Sequence, residues 1–564
     1  MRLAWAFALI IAIQPVDGLA QQAESVQQSN PAYNLWLIRS QSTTEDLIKD
    51  AATLNSWYRA LLWARLAELW WRDNPEIAGS WMAKAIAIVE DVPNKENSIE
   101  RRERLSTARL ILQIVTPLDQ KLSKRLVSIL SDDVTQVADA ERTANADGLI
   151  EAAISLVEKD PERAAELGAL ALRVGRPRYL MSLLWALRGK NAKLADGLFV
   201  QALAVTRQTL SPEVLNSLTH AAFPAEMQQL NAKVTVPPDD LRLELLQLHV
   251  AFLQANPINA ENRNSICGSV AGFISPVVMA FDRLLPQQAP IVRHSINQCQ
   301  ALSPLARQRI DDGLRNQPLN TVDDLVKAAD DASDLKVRTV YLYRAASLAK
   351  GKKDYDRALK ILDSMSKEAR EFMADSWVAY RWEWSALSAL DHFKRGEVYE
   401  MREVMRTVPA DLQPLAKIAF VQRLPANRDN ETDPTQEFLD DARRDLGRSG
   451  LLEPEKTGAY FALLELTVKY QPANATSVLK DAVASLNRST QVKDRSEDNA
   501  LLKSISPRLP AVLLEMDESA VKEAVATISK TETRARLRLD LLGACLAKLS
   551  TLKQTTPHSQ PATP

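Results

Sequence analysis

Cys267 and Cys299 carry the first chemistry that residue type and spacing suggest. Two thiols about 32 residues apart can couple to a disulfide in an oxidising compartment, leaving Cys545 over. The bond needs Cα atoms about 4.4–6.8 Å apart. The alternative is that both cysteines are small apolar core residues. A second string, Asp330-Asp331-Ala332-Ser333-Asp334, places carboxylates at i and i+4, a spacing that could chelate magnesium around a diphosphate. Asp pairs recur along this chain, at Asp132-Asp133, Asp239-Asp240, Asp311-Asp312, Asp323-Asp324 and Asp440-Asp441. Asp is also the residue that caps a helix at a turn, so the string reads as a capped turn. The five His are scattered without zinc-ligand spacing. Nucleophile-elbow, zinc-protease, P-loop and dinucleotide glycine motifs are absent. The reading therefore assigns no catalytic residue, no metal and no cofactor.

Recognition chemistry is a different matter. Eleven Trp is a high count, and they cluster: Trp57, Trp63, Trp70, Trp71 and Trp81 at one place, Trp377, Trp382 and Trp384 at another. Most fall on apolar helical arcs and read as core. Trp57, Trp377 and Trp384 border polar stripes that contain Arg65 and Arg381. These five residues are the expected partner contacts. Basic clusters at Arg101-Arg102-Glu103-Arg104 and Arg534-x-Arg536-x-Arg538 read as solvated helix faces with local acidic partners. Seventy basic against 71 acidic residues, net −1, give no electrostatic reason to expect nucleic acid as a partner.

The elements that must position these side chains are helices. Gly is only 16 of 564 residues, which disfavours a turn-rich β protein, while 46 % hydrophobic and 25 % charged residues are ordinary for a globular chain. Residues 57–71 and 377–393 have helical periodicity with wide apolar arcs; Arg381, Ser385, Ser388 and His392 form one narrow polar stripe on the second. A turn recurs in which a polar or Pro-containing step leads to a small residue three positions on: Asp73-Asn74-Pro75 to Ala78, Asp160-Pro161 to Ala164, Asp354-Tyr355 to Ala358, Gln471-Pro472 to Ala475, Met516-Asp517 to Ala520. The anchors recur at irregular periods of about 31–45 residues, two helices to a period, which predicts an all-α, right-handed α-solenoid of antiparallel helix pairs. On that spacing Cys267 and Cys299 occupy similar positions on the second helices of consecutive units, so they bond only if both point into the interface between those helices.

Lys352-Lys353-Asp354-Tyr355-Asp356-Arg357-Ala358-Leu359-Lys360-Ile361-Leu362 resembles the turn and second helix of a tetratricopeptide repeat, with Ala346 and Ala358 where that family keeps small residues. The resemblance is confined to the hairpin around 338–365. It implies a helical superhelix that binds a protein or peptide on its concave face.

The amino terminus reads as a signal peptide, residues 1–20: Arg2, an eleven-residue apolar run Leu3–Ile13 that is too short to span a bilayer, and small residues Gly18 and Ala20 before the cut. No further stretch reads as a transmembrane segment, so the mature chain is expected to be exported, periplasmic or extracellular. A flexible lead-in (21–34) precedes helical-repeat regions 35–230, 239–424 and 436–550, and a disordered tail (551–564) follows. The expected function is an exported scaffold or binding protein for an unknown protein or peptide, without catalysis. The alternative is an α/α-toroid hydrolase or lyase acting on envelope glycans, which needs carboxylates, or a His and Tyr, converging in a cleft.

Overall fold

The computed structural model describes residues 31–91, 99–132, 138–224, 226, 235–259, 262–302, 321–332, 335–373, 375–425, 433–490 and 508–555. The expected signal peptide, the lead-in as far as residue 30 and the tail from 556 lie outside the described residues. Every described element is helical, without a strand among them. The chain is all-α.

In chain order the helices are α1 (Pro31–Thr53), α2 (Ser56–Trp70), α3 (Pro75–Glu90), α4 (Ile99–Val115), α5 (Gln120–Asp132), α6 (Asp139–Leu156), α7 (Pro161–Val174), α8 (Leu180–Lys190), α9 (Ala192–Thr209), α10 (Pro212–Ala222), α11 (Asp239–Ala255), α12 (Arg263–Ser269), α13 (Val278–Leu284) and α14 (Ala289–Leu302). They continue as α15 (Val322–Asp331), α16 (Leu335–Gly351), α17 (Tyr355–Asp363), α18 (Lys367–Met373), α19 (Asp375–Lys394), α20 (Val398–Thr407), α21 (Gln413–Arg423), α22 (Thr435–Arg448), α23 (Glu453–Tyr470), α24 (Ala475–Ser489), α25 (Leu509–Leu514), α26 (Glu518–Ala526) and α27 (Thr531–Thr555).

The recurrent turns start helices by capping. Asn74, Asp160, Asp354 and Asp517 each accept a backbone N–H from three residues on, at 2.8–3.3 Å. These bonds satisfy donors that have no partner inside the helix. The small residues that follow, Ala78, Ala164 and Ala358, have no exposed surface and let the neighbouring helix approach closely.

The chain divides into two compact units, a continuous middle unit (54–316) and a terminal unit that joins residues up to 53 with those from 317 onward. In the middle unit α2 packs on α3 and α4, α4 on α5 and α6, α6 on α7 and α8, and α9 on α7, α8 and α11. In the terminal unit α16 packs on α15 and α17, α19 on α17, α20 and α21, α23 on α21, α22 and α24, and α27 on α25, α26 and α1.

Cys267 and Cys299 are bonded, with Cα atoms 5.3 Å apart and both side chains buried. Their placement differs from the expectation. A π turn (Val270–Ile274) and a 3-10 turn (Ser275–Val277) join α12 to α13, and the chain then reverses at 285–288 into α14. The bond ties the start of one helical run to the end of the next, across the two arms of one hairpin. The run Asn264–Leu284 is, by length and composition, apolar enough to cross a membrane. Val270, Phe273, Ile274, Val277 and Phe281 on it are buried in the middle unit, a core role that accounts for its composition.

Candidate partner-binding face

The polar stripe of α19 turns inward. Arg381, Ser385, Ser388 and His392 are all buried, Arg381 to 3 % exposure. Arg381 Nε donates to Asp363 Oδ1 at 2.8 Å and Nη2 to Asp363 Oδ2 at 3.2 Å and to the Thr407 carbonyl at 3.1 Å, while Nη1 reaches Ser385 Oγ. One guanidinium thereby joins the ends of α17 and α20 to α19. Ser388 Oγ donates to Asp356 Oδ1 at 2.5 Å, and His392 lies between Glu397 (2.6 Å to Nδ1) and Asp356 (3.3 Å to Nε2). Trp384 is 2 % exposed and stacks on Tyr380 at 5.2 Å. Arg381 and Trp384 are thus interior residues of the terminal unit and offer no surface to a partner. The physical reason is pairing: a stripe of polar side chains goes into a helix interface when each finds a partner there.

Trp377 remains half-exposed. Its Nε1 donates to the Leu362 carbonyl at 3.3 Å, and the Arg370 guanidinium lies 5.0 Å from its ring centre. Around it is a set of side chains that the sequence reading passed over. Phe372 on α18 is 51 % exposed, with Lys336 Nζ 5.8 Å from its ring, and Leu335 and Val340 on α16 are 42 % and 49 % exposed. Tyr343 and Tyr380 stack at 5.2 Å and share a hydrogen bond of 3.1 Å between hydroxyls. That bond, with a smaller part from burial, pushes the Tyr380 phenol above its usual value. The outcome is an apolar and aromatic surface on α16, α18 and α19 edged by cations, a composition suited to apolar and acidic side chains. A signal existed in the sequence, since Tyr343 and Tyr380 are 37 residues apart, within the range of one unit.

Trp57 and Arg65 belong to the middle unit. Trp57 is half-buried in the first turn of α2, where its backbone N–H bonds to Asn55 Oδ1 at 3.1 Å. Arg65 is exposed and pairs with Glu68 at 2.6 Å. Trp70 and Trp81 are core, and Trp63 packs on Trp81 at 6.1 Å. The five expected contacts are therefore divided between separate units, and of the three on α19 only Trp377 reaches a surface.

The middle unit holds a carboxylate pair that bears on catalysis. Asp147 and Glu151 lie one turn apart on α6. Asp147 is 5 % exposed and takes the Arg178 backbone N–H at 2.7 Å and Nε at 2.8 Å. Burial, then repulsion from Asp147, pushes the Glu151 carboxyl up. Burial lowers the Arg109 guanidinium, which donates to Asn145 Oδ1 at 2.7 Å; Glu141, Asp147 and Glu151 oppose that shift. Gly148 gives Arg109 its path, since a Cβ there would meet Arg109 Cγ at 2.8 Å. Two carboxyl groups are the ingredients of glycoside hydrolysis, but that reaction places them across a substrate. Here both project from one helix and Asp147 is already saturated by Arg178.

Among the described residues no group of three or more His, Cys, Asp or Glu could hold a metal. Of the Asp330–Asp334 string, Asp330 pairs with Arg338 at 3.6 Å, and Ser333 and Asp334 lie outside the described residues. Compared with known proteins, the chain matches no family model and shows no significant similarity to a curated sequence.

Proposed function

We propose that this chain is an exported helical-repeat scaffold that binds a protein or peptide, with no catalysis of its own. Its helices would form an irregular, right-handed solenoid of antiparallel pairs related to tetratricopeptide repeats. Packing of helices on their sequence neighbours and next-but-one neighbours within each unit supports that arrangement. The observation that carries the binding reading is the surface around Phe372, Trp377, Val340 and the Tyr343–Tyr380 pair. Exposed aromatics next to Lys336 and Arg370 favour a segment with apolar and acidic side chains.

A photo-crosslinking residue placed at Phe372 in cells should yield a discrete adduct that is lost on Trp377→Ala. The same residue at Leu452, which is 69 % exposed elsewhere on the terminal unit, should not. Equal labelling at both positions would remove the binding face. Export is tested separately: the native chain should begin at Gln21, and Met1 retained in a cytoplasmic fraction would refute it.

A further inference from the structure

α16 departs from the charge balance of the chain. It carries Lys336, Arg338, Arg344 and Lys350 and no carboxylate, in a protein with 70 basic and 71 acidic residues. Arg338 pairs with Asp330, whereas Lys336, Arg344 and Lys350 have no carboxylate partner among the described residues. Nor do the nearby acids of α18 and α19 supply one: Glu371 pairs with Lys367 at 3.8 Å and Glu383 with Arg423 at 3.3 Å.

Lys336, Tyr343 and Lys350 recur every seven residues, two helical turns, and so lie along one stripe of α16. Each meets an aromatic ring of α18 or α19. Lys336 Nζ is 5.8 Å from the Phe372 ring centre, Tyr343 stacks on Tyr380 at 5.2 Å, and Lys350 Nζ is 5.9 Å from the Trp384 ring centre. Val340, 49 % exposed, sits between the first two. The stripe therefore runs cation, apolar side chain, hydroxyl pair, cation over about 21 Å.

Packing against a ring restrains each ammonium, so placing a carboxylate there costs less rotamer freedom than at a free surface lysine. The paired hydroxyls of Tyr343 and Tyr380 use one O–H between them and leave the other to donate outward. A backbone carbonyl of an extended segment suits that donor, whereas a helix has already bonded its own. Cations and neighbouring rings occupy faces of Phe372, Tyr380 and Trp384, which disfavours ligands that bind by stacking, such as bases or sugars.

We propose that the ligand of this face is an extended peptide segment of about six or seven residues, with carboxylates at both ends and apolar side chains between. Its ends meet Lys336 and Lys350, and its middle lies over Val340 and the tyrosine pair. This rests on the binding face proposed above and gives its ligand a length, a conformation and an order of charges.

Two fluorescein-labelled heptapeptides of identical composition, glutamates with valine and leucine, are titrated against the intact protein by anisotropy. One has glutamate pairs at its ends and the other has all its glutamates in the centre. The first should bind roughly tenfold tighter. Lys336→Gln and Lys350→Gln should each weaken it about threefold and together about tenfold, with helical content unchanged. Lys469→Gln, which removes an exposed cation over the Tyr470 ring on α23, should bind like wild type. Equal affinity for the two heptapeptides, no binding of either, insensitivity to the double variant, or equal competition by an oligothymidylate would each overturn the proposal. If the adduct at Phe372 still forms and still depends on Trp377, the binding face stands and only this ligand falls. If that adduct is absent as well, both fall.

Discussion

His249 on α11 has no exposed surface. Its Nδ1 lies 2.9 Å from the Leu245 carbonyl oxygen and its Nε2 2.8 Å from Thr219 Oγ, whose hydroxyl also reaches the Leu215 carbonyl at 2.7 Å, and Phe273 and Phe281 pack against the ring. Burial lowers its pKa to about 4, against a partial rise from the Leu245 bond. Because the folded value lies below the unfolded one, the stabilisation is complete above about pH 6.5 and is lost as pH falls toward 4; the whole shift corresponds to about 3 kcal/mol. Thermal unfolding followed at pH 7 and pH 5 should show the middle unit losing stability on acidification, and His249→Gln should flatten that dependence. Arg381→Ala should cost about 2–3 kcal/mol, since Asp363, Ser385 and the Thr407 carbonyl all lose their shared donor. Arg381→Lys should recover only part of that, because an ammonium cannot span three acceptors in a plane. Partner binding by the folded fraction should be unchanged, in contrast to Trp377→Ala. At this scale the sequence was a poor guide to exposure. Hydroxyls, a guanidinium and an imidazole on one stripe of α19 resemble a wetted face, yet Arg381, Ser388 and His392 each have a partner outside α19 that periodicity does not reveal, and Ser385 is bonded by Arg381 itself.

The helices themselves were legible, and the reason is local. Asn74, Asp160, Asp354 and Asp517 act within three residues of themselves, so capping can be read without knowing what the helix packs on. Positions that depend on another element were not. Gly175 follows α7 in an extended conformation, and a Cβ there would stand 2.5 Å from the Arg142 carbonyl oxygen at the start of α6. Backbone cannot yield as a side chain does. Gly175→Ala should therefore destabilise the middle unit by about 1–3 kcal/mol, measured by chemical denaturation, whereas Gly189→Ala on α8, with open space around it, should be stabilising or neutral. The cysteine pair illustrates the same limit. Spacing brought out the two residues, but the π turn and the reversal at 285–288 place them on successive arms of one hairpin.

At the scale of the molecule, the division into a continuous middle unit and a split terminal unit has a direct consequence for fragments. Residues 54–316 expressed alone should melt cooperatively with near-native helical content, because every element of that unit is present. Residues 317–564 alone should show lower stability than the same residues co-expressed with 31–53, since α27 lacks α1. Circular dichroism of the two preparations checks both statements, and a fragment 317–564 as stable alone as with α1 would refute the second. The basic run at Arg534, Arg536 and Arg538 shows why this division was not visible beforehand. Arg536 has the local partner expected of it, Asp540, but Arg534 and Arg538 are matched to Asp50. Nothing in a window of neighbouring residues can announce a partner so far away.

The pairing of α1 with α27 also constrains how the chain is born. Asp50 and Arg534 are 484 positions apart, so the first described helix leaves the ribosome long before the last. At about 5–20 residues per second, α1 waits about 25–100 s for its partner to be synthesised. For the later part of that interval the middle unit is complete and has all it needs to collapse, while the terminal unit is still being made and lacks its last helix. The order of maturation is therefore inverted relative to the order of synthesis: the second segment made is the first to finish, and the first is the last to find its place.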